Sequence, residues 1–309
     1  GPATDMLREE GIDVIPLPAL MTGMLRDLAL NARGLRREVL RRGEPVMAVV
    51  HSDLLLPAVR RICPDAVIAA PCHSDKARRK RGVDLAITLN PEQQALVTAR
   101  LNGSARAVEL GNPYVPLPRQ EPPQPGMEPR PRIVFCARFT PAKDPLTFLR
   151  AALSLPASAE VVMIGTGPLE AEARAMAGTA GRQVRFTGWL QDPWAEIRAS
   201  DILVLPSVWE GLPFLLLEAL DRGLAVVASD IAGNRAALGD GAHGALFPVG
   251  DEAALAAILA RALEDTGPLR AMAAKGRAVS AARFGAQAFW HRLSAEGLKV
   301  REARRQRAG

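Results

Sequence analysis

The chain is poor in cysteine, aromatic side chains and lysine, and it has no long hydrophobic run. Its three cysteines, Cys63, Cys72 and Cys136, are odd in number and lack CxxC spacing, which excludes a disulfide framework and a zinc knuckle and fits a reducing compartment. Aromatics are 4% of the residues, and no zinc-finger spacing occurs, so a base-stacking platform is not expected and nucleic acid is not an expected partner. No stretch approaches the roughly 18 uncharged apolar residues of a membrane-spanning helix, and no signal-peptide pattern precedes Asp5. The expected location is cytoplasmic. Only five of the 39 basic residues are lysines, a bias that reads as genomic base composition and carries no mechanistic weight.

What is present is the mix of an ordinary globular protein, 48% apolar and 23% charged, over 309 residues, a length that predicts two domains. The net charge of +6 permits an acidic ligand such as nucleic acid, anionic lipid or a phosphorylated small molecule, and does not choose among them.

Eight prolines between Pro113 and Pro131 interrupt any helix or central strand. They divide the chain into residues 1–118, a Pro-rich linker at 119–131, residues 132–285 and a final helical stretch at 286–309. On both sides of the linker, short apolar or β-branched runs alternate with segments of helical length. The runs begin at Val46, Ala66, Leu85 and Ala107, then at Arg132, Glu160, Val184, Ile202 and Ala225. The expected fold is α/β, two Rossmann-like parallel-sheet domains covered by helices. Asp144-Pro145 and Gly167-Pro168 read as helix starts and Gly223 as a stop. Ala286–Arg305 reads as a helix with Phe289, Trp290 and Leu293 at one-face spacing.

Ligands of such sheets bind beyond the carboxyl ends of the strands. There, Ser207-Val208-Trp209-Glu210-Gly211-Leu212-Pro213-Phe214 leads into a helix carrying Glu218, eight positions after Glu210. The first N–H groups of a helix starting near Phe214 form an anion site, and Glu218 lies one turn on. A diphosphate there puts a sugar hydroxyl within reach of Glu218. As an isolated pair, the two would read as a solvated helix carboxylate and a turn residue. They do not stand alone, because Arg138 and Lys143 follow the strand at Arg132–Ala137, Arg suited to gripping phosphate bidentately and Lys as a point charge. Gly165-Thr166-Gly167 and Gly188-Trp189-Leu190 follow two further strands, and turn chemistry explains their glycines as well as ligand approach does.

Together these segments resemble the nucleotide-sugar half of the retaining glycosyltransferases of GT-B fold, specifically the large fourth sequence family. Arg138 and Lys143, Ile164–Leu169, Phe186-Thr187-Gly188 and above all Glu210 to Asp230 carry the resemblance, over about residues 130–285. It implies that Arg138 and Lys143 hold the donor diphosphate as the leaving group, that Phe214 and Leu215 give backbone N–H groups to it, and that Glu218 takes the ribose hydroxyls. Glu210 then contacts the transferred sugar, the backbone near Trp189 and Leu190 meets the base, and Gly165, Gly167 and Gly211 line the donor site. Pro213 departs from the commoner glycine and has no N–H.

In the first half, His73 in Pro71-Cys72-His73-Ser74 matches an acceptor-side histidine of the family, with a structural hydrogen bond as the alternative. His51 stands at a similar strand end. Leu110-Gly111-Asn112-Pro113 resembles the turn that leaves the first domain. The usual first strand, glycine-rich loop and helix have no counterpart, and Met6–Val14 resembles the segment after them, so the first domain reads as shortened. Two basic clusters, Lys76 to Arg81 and Arg26 to Arg42, read as solvated faces or as contact with an anionic membrane surface.

The implied activity is retaining, metal-independent transfer from a nucleotide diphosphate sugar, UDP-linked by preference, to a glycan or glycolipid hydroxyl. No cofactor is expected beyond that co-substrate. The absence of any Asp-x-Asp triplet agrees with Arg138 and Lys143 standing in for a divalent cation. The alternatives are a sugar-nucleotide epimerase of the same fold and an inactive nucleotide-sugar-binding or scaffold protein.

Overall fold

The computed structural model describes residues 36–37, 39–41, 43, 45–73, 82–115 and 130–308. Most of the Pro-rich linker, the Lys76 to Arg81 cluster, the Met6–Val14 segment and much of the Arg26 to Arg42 stretch lie outside these residues.

Two sheets form, and every strand pairing in them is parallel. The first has the order β1 (Met47–Val49), β2 (Val67–Pro71), β3 (Leu85–Thr88), β4 (Arg106–Glu109). The second contains β5 (Ile133–Cys136), β6 (Val161–Ile164), β7 (Val184–Gly188), β8 (Ile202–Leu205), β9 (Ala225–Ser229) and β10 (Ala245–Phe247), ordered β10-β9-β8-β5-β6-β7. Each of the nine runs expected to be strands forms one. The tenth, β10, is three residues long and forms by pairing with β9.

Helices cover both sheets: α1 (Leu56–Ile62) and α2 (Pro91–Leu101) in the first half, then α3 (Pro145–Leu153), α4 (Glu170–Thr179), α5 (Phe214–Asp221), α6 (Ala232–Leu238), α7 (Glu252–Glu264), α8 (Gly267–Phe284) and α9 (Ala286–Ala308). The start of α3 follows from Asp144, whose carboxylate accepts the Thr147 N–H, with Pro145 in the first turn. At Gly167-Pro168 the expected start is displaced. A turn closed by Glu170 N–H to Gly167 O intervenes, and α4 begins at Glu170. Burial on both faces explains the near-continuous apolar strands, since β2, β3, β6, β8 and β9 are buried throughout.

The second sheet is sandwiched between two apolar clusters, one built on Leu203, Leu216, Leu220 and Val226, the other on Phe135, Phe148, Leu149 and Leu255. Helix α9 returns to the first sheet, placing Phe289 and Leu293 against Val67, Ala69, Leu85 and Ile87. Trp290 departs from the expected buried stripe: it is half exposed and meets Phe289 edge to face.

Candidate active site

In the second sheet, chain order reverses between β5 and β8, which are hydrogen-bonded neighbours with Ile133 opposite Ile202 and Phe135 opposite Val204. Ligands of open α/β sheets bind at such a switch point, in the crevice outside the carboxyl ends of the strands, where the loops after β5 and β8 lie. Val208 N–H donates to Ala142 O at 2.9 Å and ties the two loops together. Across that junction Lys143 Nζ pairs with Glu210 Oε1, and Ser207 Oγ donates to the same oxygen at 2.7 Å. Arg138, on the β5 loop, is exposed and has no ion-pair partner among the described residues.

Pro213 precedes α5 in extended conformation with no side-chain cap, so the N–H groups at Phe214 and Leu215 open the helix without intrahelical acceptors. Phe214 is exposed, its ring 6.2 Å from that of Tyr114, while Leu215 leans on the core. One turn on, Glu218 Oε2 accepts the indole N–H of Trp194 at 3.0 Å, and the Arg222 guanidinium lies 4.6 Å from the centre of the Trp194 ring. Burial pushes the Glu218 carboxyl above its ordinary pKa, opposed in part by the Trp194 hydrogen bond and Arg222. The neighbouring Cys136 thiol is pushed up to about 12, mainly by burial and secondarily by Glu218. Trp194 is the functional-site contact that sequence reasoning missed. Its signal was Asp192-Pro193, a cap followed by proline, with Asp192 accepting the Trp194 N–H at 3.0 Å.

At the end of β7, Trp189 is exposed and Leu190 packs on the core. Gly165 and Gly167 have φ of +126° and +157°, and a Cβ at either would strike the backbone of the Arg138 loop, 2.1 Å from Ala137 O and 2.5 Å from Phe139 O. Their close approach is thus to that loop, which they brace through Phe139 N–H to Thr166 O and Leu169 N–H to Phe139 O. A Cβ on Gly211 would lie 2.3 Å from the Leu89 side chain of the first domain.

In the first domain, His73 is exposed just beyond β2, and His51 just beyond β1. Parallel pairing of these strands brings the two rings into a stack, centroids 5.9 Å apart with their planes inclined by 21°. His51 therefore shares His73's location. Among the described residues, no group of three or more His, Cys, Asp or Glu side chains could hold a metal ion, and no helix is long and apolar enough to cross a membrane.

Residues 130–265 match the family of glycosyl transferases group 1, the span that contains Arg138, Lys143, Glu210 and Glu218. The matched span takes in most of the second sheet and its helices. The chain is similar to a phosphatidyl-myo-inositol mannosyltransferase of Mycolicibacterium smegmatis, 32% identical over 177 residues that cover 55% of this chain and 44% of that protein. It is also similar to the UDP-Gal:alpha-D-GlcNAc-diphosphoundecaprenol alpha-1,3-galactosyltransferase of Escherichia coli, 32% identical over 136 residues, covering 41% of this chain and 35% of that protein. The chain thus spans less than half the length of these curated relatives.

Among solved structures, Anabaena HepE in complex with UDP and glucose superposes with a TM-score of 0.73 at 17% identity, covering 96% of this chain and 88% of that one. A glycosyltransferase from Rickettsia africae gives 0.76 at 14% identity, covering 97% and 88%. The likeness establishes the fold, the expected GT-B pair of Rossmann-like domains.

Proposed function

We propose that the chain transfers a sugar from a UDP-sugar to a hydroxyl of a glycan or glycolipid, with retention of anomeric configuration and without a metal ion. The observation that carries this reading is the meeting of Lys143 with Glu210 at the switch point of the second sheet, on the two loops that carry the exposed Arg138 and lead into the helix of Glu218. A diphosphate in that crevice would lie between two cations, and the charge that develops on it as the sugar departs is what Arg138 and Lys143 would stabilise. Phe214 and Leu215 would add their N–H groups. Glu210, released from or sharing Lys143, would face the transferred sugar.

Glu218 suits ribose hydroxyls because its desolvated carboxylate gains from each new donor, and Trp194 already fixes one of its oxygens. The base would lie near Trp189 and Leu190. For retention, the acceptor O–H would yield its proton to the departing phosphate oxygen as the new C–O bond forms on the same face of the sugar. His73 would border the acceptor. UDP is supported by the Anabaena complex with UDP and by the UDP-Gal donor of the Escherichia coli relative. A lipid-linked acceptor is supported by the diphosphoundecaprenol and phosphatidyl-myo-inositol acceptors of the two relatives. The basic clusters support peripheral contact of the cytoplasmic protein with an anionic membrane.

A thermal-shift screen of UDP-, GDP- and ADP-sugars tests the reading, since a ligand at 100 times its Kd stabilises by about 2.7 kcal/mol. Stabilisation by a UDP-sugar, followed by acceptor-dependent UDP release in the presence of chelator, is the expected result. No stabilisation by any nucleotide sugar, or formation of an epimer from donor alone, overturns it.

A further inference from the structure

We infer that Asn90, in the first domain, is a positioning residue for Glu210, in the second. Asn90 is buried at the N-cap of α2, where its Oδ1 accepts the Gln93 N–H at 2.9 Å while Gln93 Oε1 accepts the Leu89 N–H at 2.8 Å. This reciprocal capping consumes only the oxygen of the carboxamide. The Nδ2 group crosses to the other domain and donates to Gly211 O at 2.9 Å, in a buried contact between residues 121 positions apart.

The carbonyl so held belongs to the residue directly after Glu210. Leu89 occupies the space that a Gly211 side chain would need, and Gly233 of α6 also approaches closely, where a Cβ would come within 2.4 Å of Glu210 O and 2.8 Å of Gly211 O. Glu92 of α2 pairs with Arg235 of α6, which also holds Asp230 at 2.7 Å, so the two helices that approach this segment are tied to each other. Lys143 and Ser207 then aim the carboxylate from within the second domain. The first domain sets where the Glu210 backbone stands, and the second sets where its side chain points.

The chemistry singles out asparagine. Serine and aspartate cap a helix about as well, but an ionised aspartate has no donor, and serine carries its only hydrogen on the one short-reaching oxygen that caps the helix, whereas asparagine caps with Oδ1 and donates with a separate Nδ2. Asn90→Ser keeps the cap and strips Gly211 O of its donor. Asn90→Asp keeps the cap and sets a carboxylate oxygen against that carbonyl.

The inference rests on the transfer reading for its functional half, so two independent readouts are used on the full chain: amide exchange of the 207–213 segment, followed by mass spectrometry, and turnover measured as UDP release from UDP-glucose beside the Kd for UDP. Expected for Asn90→Ser are a melting temperature lowered by no more than a few degrees, exchange of the segment faster by about tenfold, kcat lower by about tenfold and a UDP Kd within about twofold of wild type, the scale of one lost hydrogen bond. Asn90→Asp should show the same pattern more strongly, and Asn90→Ser carries the test if Asn90→Asp fails to fold. If Asn90 does no more than cap α2, both variants match wild type in exchange and turnover and only Asn90→Ala differs, which overturns the inference. Failure of the wild-type chain to bind UDP overturns the transfer reading instead, and loop exchange still decides whether Asn90 holds Gly211.

Discussion

Lys143 and Glu210, 67 positions apart, form an ion pair at the mouth of the second sheet, with Ser207 donating to the same carboxylate oxygen. The pair exists because β5 and β8 are neighbours in the sheet although two strands separate them in sequence. Both partners are partly sheltered, at 24% and 11% side-chain exposure, so each restrains the other's side chain.

Replacing Lys143 with alanine should lower kcat by about 10²- to 10³-fold, the usual cost of removing a group that stabilises charge developing in the transition state. Stability should change by only about 1 kcal/mol, because a partly solvated pair contributes little to folding. Steady-state kinetics with UDP-sugar beside thermal melts would show the split, and a variant that loses stability and activity in proportion would refute the assigned role.

The raised pKa of Glu218 makes stability depend on pH with a definite sign. Because burial holds the native carboxyl above its unfolded value, the native state binds more protons than the unfolded chain from about pH 4.5 upward, so stability falls as pH rises through the window between the two values. Glu218→Gln should remove that component, so the difference in melting temperature between the variant and wild type grows with pH across this window. The same variant should bind UDP at least about tenfold more weakly, reflecting lost hydrogen bonds to a charged acceptor.

Two glycine substitutions separate backbone conformation from packing. Gly223 has φ of +69° and open space around it, so Gly223→Ala should cost about 1–2 kcal/mol from conformation alone. Gly167→Ala adds a collision with the Phe139 backbone and should cost more than about 3 kcal/mol, with weakened donor binding because the Arg138 loop must move. Denaturant midpoints and UDP affinity measured on both variants check the order.

At the base of β5, Arg132 is fully buried and donates to Asp201 at 3.0 and 2.7 Å and to Glu196 at 3.0 Å. Arg132→Ala strands the buried Asp201 carboxylate and should cost about 3–5 kcal/mol in chemical denaturation. With its thiol pushed up to about 12, Cys136 should stay unmodified by iodoacetamide at pH 8 until the chain is unfolded.

β2, β3, β6, β8 and β9 were legible because a parallel strand buried on both faces must be a short unbroken apolar run, and the other four expected strands were legible as short apolar or β-branched runs between segments of helical length. β10 was not, since Ala245-Leu246-Phe247 is too short to carry a pattern and owes its form to β9. The start of α4 was misread at Gly167-Pro168 because those residues serve a turn against Phe139. Trp290 was misread because helical spacing gives a face but not its edges, and α9 turns that edge to solvent. In the site, Arg138, Lys143, Glu210 and Glu218 were legible as chemistry-bearing residues after strands. Trp194, His51 as the neighbour of His73, and Asn90 were not.

The sequence by itself determined the alternation of strands and helices, the two-domain division and the cluster of charged residues at strand ends, because periodicity, caps and breakers are local properties of the chain. Only the tertiary structure decided that Lys143 meets Glu210, that Trp194 holds Glu218 and that Asn90 reaches Gly211. Those pairings depend on strand order and on the packing of one domain against the other, which arise from the burial of whole faces and leave no mark in the spacing of the residues they join.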